Sequence, residues 1–421
     1  MHEDISVTTK MNMTMKWTLW CIASLFYAYQ YILRVMPNIM IGDIMTQYQI
    51  DSAVFGQFSG VYYIGYSLMH LPLGLLLDRY GPKNILPLFM GFTVLGTLPL
   101  VLSDFWLYPI VGRFLVGMGS SAAILGVFKI IRMTFPENRF TRMLSFSVMI
   151  GLIGALYGGR PVNDLKMLYG FHDVIWGVLI IGIALIGITY FMFPPHTHAE
   201  KEETAFEEIR TVMTTKKALL VCFLAGLMVG PLEGFADVWG AQFLKKVYQF
   251  DDKTASGLPS LIFVGMCFGA PVLSYFAEKT NDYGVIILSA VVMAISFLLL
   301  LSGIMNQTTL SIMFVVVGVL CAYQIIAIYK ASTYVPEKNI GLMTATANMI
   351  IMIFGYVFHG IIGQIIRYVE GGGADISTYS ASSFLWGISV IPLALVISSL
   401  GFMMLLISEK KSEILGSKVR A

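Results

Sequence analysis

The sequence has 421 residues, of which 57% are hydrophobic and only 12% are charged, and its mean hydropathy is +0.76. Soluble domains carry about 25% charged residues, and a soluble fold cannot bury this much apolar surface, so the composition excludes a soluble protein and predicts that lipid surrounds the chain. The formal net charge of +2 indicates neither nucleic acid nor an acidic macromolecule as a partner.

Twelve apolar segments are long enough to cross a bilayer as helices, which takes about 20 residues each. We number them spans 1 to 12 in chain order: 17–40, 55–77, 84–102, 107–131, 142–160, 172–193, 218–241, 257–277, 284–303, 309–330, 341–366 and 383–407. The sequence therefore predicts an all-α membrane protein with 12 transmembrane helices.

Lysine and arginine are distributed unevenly over the loops between these spans. Of the 27 basic residues, eighteen lie on the side of the two termini, six lie on the opposite side and three lie within spans. Because basic residues are retained on the cytoplasmic side, both termini are predicted to be cytoplasmic in a protein of the inner membrane.

An internal repeat divides the chain. Tyr-Gln-Ile-Asp at 48–51 recurs as Tyr-Gln-Phe-Asp at 248–251, and Gly65 recurs as Gly265, both at an offset of 200 residues. The repeat predicts two halves of six spans each.

The predicted domains are an N-terminal half over 1–193, a cytoplasmic linker over 194–217 and a C-terminal half over 218–421. The linker is polar and rich in glutamate, and we expect an amphipathic surface helix in it. Parallel repeats in transporters place the substrate near the middle of the bilayer.

The loop after span 2 carries the most specific motif, Gly-Leu-Leu-Leu-Asp-Arg-Tyr-Gly-Pro-Lys at 74–83. It resembles the signature Gly-x-Leu-x-Asp-Arg-x-Gly-Arg-Arg/Lys that the major facilitator superfamily carries in the same loop, with proline in place of one basic residue. A degraded copy lies at 274–279. Arg-Phe-Leu-Val-Gly-Met-Gly at 113–119 is similar to the superfamily's motif in span 4.

This resemblance implies a transporter that works by alternating access, with a gate in the loop after span 2. The gating residues it assigns are Gly74, Asp78, Arg79 and Gly81. In the superfamily the aspartate faces the N-terminus of a helix in the other half, which would lie near Gly341, where the helix dipole favours an anion. The alternative is a solvated loop charge. A short turn needs the backbone freedom of Gly81.

Polar side chains within spans are costly in lipid and mark candidate sites. Four of them share one face of span 1 at spacings of three and four: Tyr27, Gln30, Tyr31 and Arg34. Ile32, Leu33 and Val35 are expected to face lipid. A guanidinium suits a carboxylate or phosphate, which it can hold through two hydrogen bonds. The alternatives for Arg34 are a structural ion pair or a side chain that reaches out to the interface.

Span 7 carries two acids, Glu233 and Asp237, and the offset of the repeat places Glu233 opposite the position next to Arg34. Organophosphate carriers of the superfamily are known for an arginine in each half. The acid here favours a zwitterion, such as an amino acid or small peptide, over phosphate. Alternatively one acid carries protons, since buried carboxyl groups can titrate near neutral pH, or the acids form structural pairs with Arg34 and Arg113. The sequence leaves these readings open.

The remaining candidates for substrate or proton contact are weaker, because aromatic and amide side chains in spans are as often packing residues. They are Tyr62, Tyr66, Arg113, Lys129, Tyr323, Gln324, Asn348 and His359.

The prediction for function is a secondary carrier, expected to be monomeric, that takes up a small carboxylate-bearing solute together with protons. The group of bacterial major facilitators that the chain resembles includes organic-anion carriers and a lysosomal dipeptide carrier. No phosphate-cradling loop or nucleophile–base pair is present, so we expect no cofactor and no enzymatic activity. One alternative is a drug exporter, although span 5 lacks the Gly-Pro pair of superfamily exporters. Another is a membrane sensor that binds a solute without moving it.

Overall fold

The computed structural model describes residues 12–136, 139–194 and 205–420, except for the side chains of residues 75, 78, 141, 205–209, 338 and 412–420. This part of the chain is helical and contains no strand. It includes 11 helical segments that are long and apolar enough to cross a membrane: Met13–Tyr48, Arg79–Leu102, Leu107–Thr134, Arg142–Tyr169, Phe171–Met192, Lys216–Val247, Asp252–Lys279, Asp282–Leu301, Gln307–Ser332, Ile340–Glu370 and Ala381–Lys411. The predicted all-α membrane fold is confirmed.

Span 2 is the predicted span that these eleven segments omit, although it is helical too. It forms the first part of the continuous Ser52–Thr97 helix, and span 3 forms the second. The two parts meet at Gly81, whose φ of 73° interrupts the helical backbone. Residues with a side chain rarely adopt this conformation, so the expected need for glycine in this turn is confirmed.

The chain divides into two compact units. Unit 1 comprises Met1–Glu203 and Gly371–Tyr379. Its described helices are Met13–Tyr48, Ser52–Thr97, Pro99–Leu102, Leu107–Thr134, Phe140–Gly158, Arg160–Tyr169 and Phe171–Met192, with a 3₁₀ turn at Ile376–Thr378. The segment Gly371–Tyr379 belongs to unit 1 because the buried side chain of Ile376 packs against the helix Met13–Tyr48. It does so at Gly42, which has no side chain.

Unit 2 comprises Thr204–Glu370 and Ser380–Ala421. Its described α-helices are Ala205–Thr214, Lys216–Gly226, Gly240–Val247, Asp252–Gly257, Ser260–Lys279, Asp282–Leu301, Gln307–Cys321, Tyr323–Ser332, Ile340–Glu370 and Ala381–Arg420, with a π-helix at Gly230–Trp239 and a 3₁₀ turn at Glu337–Asn339. A helix thus exists in the predicted linker, but most of the glutamate-rich stretch lies outside the described residues.

The repeated tetrapeptide forms the same corner in both units. Gln49 and Gln249 are the non-glycine residues of the described chain with positive φ, at 51° and 57°. The side-chain Nε2 of each glutamine donates to the backbone carbonyl three residues earlier: Gln49 to Thr46 at 2.7 Å, and Gln249 to Lys246 at 2.8 Å. This side-chain bond supports a left-handed conformation that ends the preceding helix.

The flanking tyrosine and aspartate fix the two helices that meet at the corner. The Tyr48 hydroxyl donates to the Ser103 carbonyl at 2.9 Å, and that of Tyr248 donates to the Leu300 carbonyl at 2.7 Å. Asp51 and Asp251 accept backbone N–H groups two and three residues ahead and so cap the next helix. At Asp251, hydrogen bonds from Thr254 and neighbouring backbone groups hold the pKa of the carboxyl below its usual value. The sequence repeat is therefore a repeat of local structure.

Glycines let spans 2 and 4 cross with their backbones in contact, and the same crossing recurs in unit 2. A Cβ at Gly117 would overlap the Tyr62 carbonyl, and one at Gly65 would overlap the Phe114 carbonyl. In unit 2, Gly265 and Gly318 meet carbonyls of spans 10 and 8 in the same way. Small residues are the usual means by which membrane helices approach each other.

Span 1 is enclosed more fully than expected. Leu33 and Val35 are each 1% exposed, so the expectation that they face lipid is wrong. Span 5 covers Val35, because Gly158 lies against Ile32 and Val35. Leu33 points to the other side of the helix, where it lines a small pocket with Thr97 of span 3 and Arg113 of span 4. A helix that is apolar around most of its circumference can be buried on every side.

We predict that Gly117→Ala lowers the free energy of unfolding of the purified protein by about 1–3 kcal/mol, because the added methyl group forces two packed helices apart. The matched control is Gly91→Ala in span 3, where an added Cβ meets no atom within 4 Å and helix propensity predicts a gain of about 0.5–1 kcal/mol. Melting temperatures in detergent check both variants. Equal stability of the two would contradict the close crossing.

Candidate functional site

Unit 1 contains a proline within the helix of span 1, Pro37. Proline has no N–H, so the Leu33 carbonyl four residues earlier lacks its usual helical donor. Arg113 of span 4 supplies one: its Nη1 lies 2.7 Å from the Leu33 oxygen, and its Nη2 lies 3.0 Å from the Arg34 oxygen. The Arg113 side chain thereby holds the backbone of span 1 at the proline, which gives this candidate coupling residue a positioning contact.

Arg34 lies at the same point of span 1 and is only 7% exposed. Its guanidinium carbon is 5.2 Å from the ring centroid of Tyr31 and 5.4 Å from that of Tyr63. Aromatic faces attract a cation and stabilise it away from water. The Arg34 guanidinium therefore lies against two tyrosine rings.

Further contacts join the other candidates of spans 1 and 2 to this cluster. The Tyr62 hydroxyl donates to the Gln30 amide oxygen at 2.8 Å. Tyr27 packs edge-on against Tyr31 at 5.3 Å, and Tyr66 stacks on Tyr62 at 6.1 Å. The structure thus brings together the predicted stripe of span 1 and the predicted tyrosines of span 2.

Two residues of unit 1 differ from the prediction: Asn38 belongs with the stripe of span 1, and Lys129 lies away from it. Asn38 is 2% exposed and lies one turn after Arg34. Its spacing of four extends the predicted stripe, which ended at Arg34. Lys129 is half-buried on span 4, sixteen residues after Arg113, which corresponds to about 24 Å along a helix. It therefore lies away from the cluster.

In unit 2, span 7 is interrupted. The α-helix Lys216–Gly226 ends, a π-helix occupies Gly230–Trp239, and α-helix resumes at Gly240, whose N–H donates to the Phe235 carbonyl five residues back. Pro231 removes another backbone donor near the start of the π-helix. The Gly-Pro pair at 230–231 marks this break in the sequence, but the break was not predicted. π-Helical turns are frequent at functional sites.

Side chains from three neighbouring spans donate hydrogen bonds to backbone carbonyls of the interrupted span 7. Tyr323 donates to Ala225 and Ser398 to Leu224, both at 2.7 Å. His359 Nε2 lies 2.6 Å from the Glu233 carbonyl oxygen. Because a carbonyl only accepts, Nε2 carries the proton. Tyr323 and His359 were predicted site residues, and here they position the backbone that carries the acids.

Glu233 and Asp237 both lie within the π-helix, and neither side chain has any exposed surface. Gln324 is buried beside Tyr323. Two acids in an apolar interior are expensive, which is the usual mark of a functional position in a membrane protein.

The other candidates lie farther from these two clusters or outside them. Asn348 is half-buried on span 11, eleven residues before His359, or about 16 Å along a helix. At the predicted gate, Arg79 is exposed and its guanidinium lies over the Tyr80 ring at 5.3 Å, and Gly74 has open space at its Cα. The Asp78 side chain lies outside the described part of the chain.

Comparison with known proteins agrees with this architecture. The model of the Major Facilitator Superfamily matches residues 19–359. The chain is 24% identical over 426 residues to the uncharacterized transporter YybO of Bacillus subtilis, covering 90% of this chain and 93% of YybO. It is 25% identical over 234 residues to the putative metabolite transport protein NicT of Pseudomonas putida, an alignment that spans 53% of this chain and 51% of NicT.

A solved structure, the crystal structure of a bacterial homologue of the human lysosomal transporter Spinster, superposes with a TM-score of 0.72 over 94% of this chain and 97% of that chain. Sequence identity there is 16%, so the likeness concerns the fold alone. The family match extends over most of the chain, and the helical architecture agrees with it. The protein belongs to the Major Facilitator Superfamily and is a membrane transporter of that type.

Proposed function

We propose that the protein is a secondary carrier of the inner membrane that takes up a small carboxylate-bearing solute by alternating access, driven by protons. One observation carries the proposal: buried charged side chains lie where the backbone hydrogen bonding of spans 1 and 7 departs from that of a regular α-helix, Arg34 beside Pro37 and two acids in the π-helix. In secondary transporters, discontinuous helices typically form the substrate and coupling-ion sites.

Arg34 is assigned to the solute carboxylate. Its cation lies against Tyr31 and Tyr63 rather than at the membrane surface, which argues against a side chain that merely reaches the interface. The hydrogen bond between Tyr62 and Gln30 orders polar groups one turn away. A carboxylate can accept two hydrogen bonds from one guanidinium, which gives direction as well as affinity. An amino acid, a small peptide or an organic acid meets this requirement.

Glu233 and Asp237 are assigned to proton transfer or to the amino group of a zwitterionic solute. Both are fully buried in a stretch of π-helix. His359 donates to the Glu233 carbonyl within it, and Tyr323 and Ser398 donate to the end of the preceding α-helix. A carboxylate in that setting is costly unless it is paired or neutralised by a proton. A bound proton neutralises the carboxylate, and a bound ammonium group pairs with it. Gly74, Asp78, Arg79 and Gly81 are assigned to the gate, as in the superfamily motif.

The direct test is uptake of radiolabelled amino acids, dipeptides and organic acids into proteoliposomes, with and without an acid-outside pH gradient. We expect accumulation of at least one of these solutes only with the gradient. The absence of any gradient-driven accumulation across the panel would contradict the substrate class and the coupling.

We predict that Arg34→Ala reduces uptake of that solute about 10- to 100-fold, because a lost hydrogen-bonded contact to a charged group is worth about 1.5–3 kcal/mol. Arg34→Lys should retain part of the activity, because it keeps the charge and loses the planar pair of donors. Arg139→Ala, at an exposed loop position, is the matched control. Wild-type uptake by Arg34→Ala, with normal membrane insertion, would show that Arg34 is structural.

We predict that neutralising the proton-carrying acid uncouples the carrier. In Glu233→Gln or Asp237→Asn, gradient-driven accumulation should be lost while exchange of internal for external solute continues, because exchange needs no net proton transfer. Asp104→Asn, at an exposed loop acid, should behave as wild type. If both buried variants still accumulate solute against its gradient, neither acid carries the proton.

A further inference from the structure

Unit 1 contains a cavity of about 460 Å³ on its outer surface, away from Arg34 and its aromatic neighbours. Its walls are Ile32 of span 1, Tyr157 at the end of span 5, one face of the short helix Arg160–Tyr169, and the first three turns of span 6. The volume falls within the range of about 300–1,000 Å³ that is usual for small-molecule pockets. The lining is almost wholly apolar, and the neighbouring Ile180 and Ile181 are 64% and 53% exposed. In a membrane protein such a surface faces lipid.

The short helix Arg160–Tyr169 fixes the depth of the cavity in the bilayer. Val162 and Asn163 are buried against the protein, whereas Leu168 and Tyr169 are 75% and 64% exposed. Two of its three ionic side chains, Arg160 and Asp164, form a largely exposed pair at 3.7 Å, and the third, Lys166, pairs with Asp43 at 2.8 Å. Apolar, ionic and tyrosine side chains at exposed positions of one short helix are typical of a segment that lies in the interface between headgroups and acyl chains. The mouth of the cavity is therefore at headgroup level, in the leaflet opposite the termini.

Asp173 is the charged residue among the described residues that line the cavity. It lies in the first turn of span 6, where an acid also complements the helix dipole. The dipole explains why an acid is tolerated there, but it does not explain why an apolar cavity of ligand size opens beside it. A carboxylate at the mouth of an apolar cavity complements a molecule with a long apolar body and a cationic head.

We propose that this cavity is a binding site for an aminophospholipid, with one acyl chain in the cavity and the ammonium group of the headgroup at Asp173. Phospholipids are the amphiphiles that surround this surface, and those with a primary amine present a cation at the depth of Asp173. A lipid with an uncharged glycerol headgroup offers only its phosphate, which the carboxylate repels. The site thus distinguishes headgroups rather than accepting any lipid of the annulus.

Gly177 allows the cavity to be closed without disturbing the fold. It lies in the lining, and an added Cβ would meet no atom within 4 Å. Gly177→Phe should therefore fill the space where the acyl chain lies. Gly187→Phe is the matched control, because Gly187 lies on the same helix with equally open surroundings but outside the cavity.

The test uses full-length protein reconstituted in vesicles of equal parts phosphatidylethanolamine and phosphatidylglycerol, then extracted in mild detergent and weighed by native mass spectrometry. For the wild type we expect phosphatidylethanolamine to be retained about two- to fivefold over phosphatidylglycerol. This ratio corresponds to the free energy that a partly exposed ion pair contributes to binding. Gly177→Phe should lose this retained lipid, and Gly187→Phe should keep it. Asp173→Asn should still retain lipid but with the preference abolished.

Equal retention of the two lipids by the wild type would overturn the proposal, since the lipid would then be ordinary annular lipid. Unchanged retention in Gly177→Phe would overturn the assignment to this cavity. Should Gly177→Phe fail to fold, Asp173→Asn decides the question alone: a preference that survives the loss of the carboxylate contradicts the proposal. Each readout is independent of transport, so its failure is distinct from failure of the proposed carrier function.

Discussion

The structure depends on one constraint of the membrane interior: a backbone carbonyl that loses its helical donor must find another, because lipid offers none. Pro37 creates this need in span 1, and Arg113 meets it by donating to the Leu33 carbonyl. In span 7 the α-helix ends at Gly226 and a π-helix follows, and Tyr323 and His359 donate to the Ala225 and Glu233 carbonyls. Polar side chains of neighbouring spans thus support the backbone of one span in each unit.

This arrangement explains why the polar residues of the spans divide into two kinds. Arg113, Tyr323 and His359 donate to the backbone of spans 1 and 7. Arg34 and the acids Glu233 and Asp237 lie on those two spans themselves. The first kind gives the second a fixed position, as catalytic and binding groups require. On this account the charges act on solute and protons, and the donors act through the backbone.

Much of the fold could be predicted from the sequence, because membrane spans are long and the repeat at 48–51 and 248–251 encodes a specific corner. The cluster of Gln30, Tyr31 and Arg34 followed from helical periodicity. The backbone contacts could not be predicted: hydropathy does not show that Arg113 reaches a carbonyl 80 positions earlier, or that span 5 covers Val35. The π-helix was not predicted, because the Gly-Pro pair at 230–231 lies in an otherwise uniform apolar segment.

The central claim is that Arg113 replaces the donor that Pro37 lacks, and a double-mutant cycle tests it most directly. Arg113→Met should destabilise the protein by about 1–3 kcal/mol when Pro37 is present, since the Leu33 carbonyl is left without a donor. In the Pro37→Ala background the backbone N–H returns, and the cost should fall by at least about 0.5 kcal/mol. Thermal unfolding of the four proteins measures the difference. Costs that add within about 0.3 kcal/mol would contradict the account.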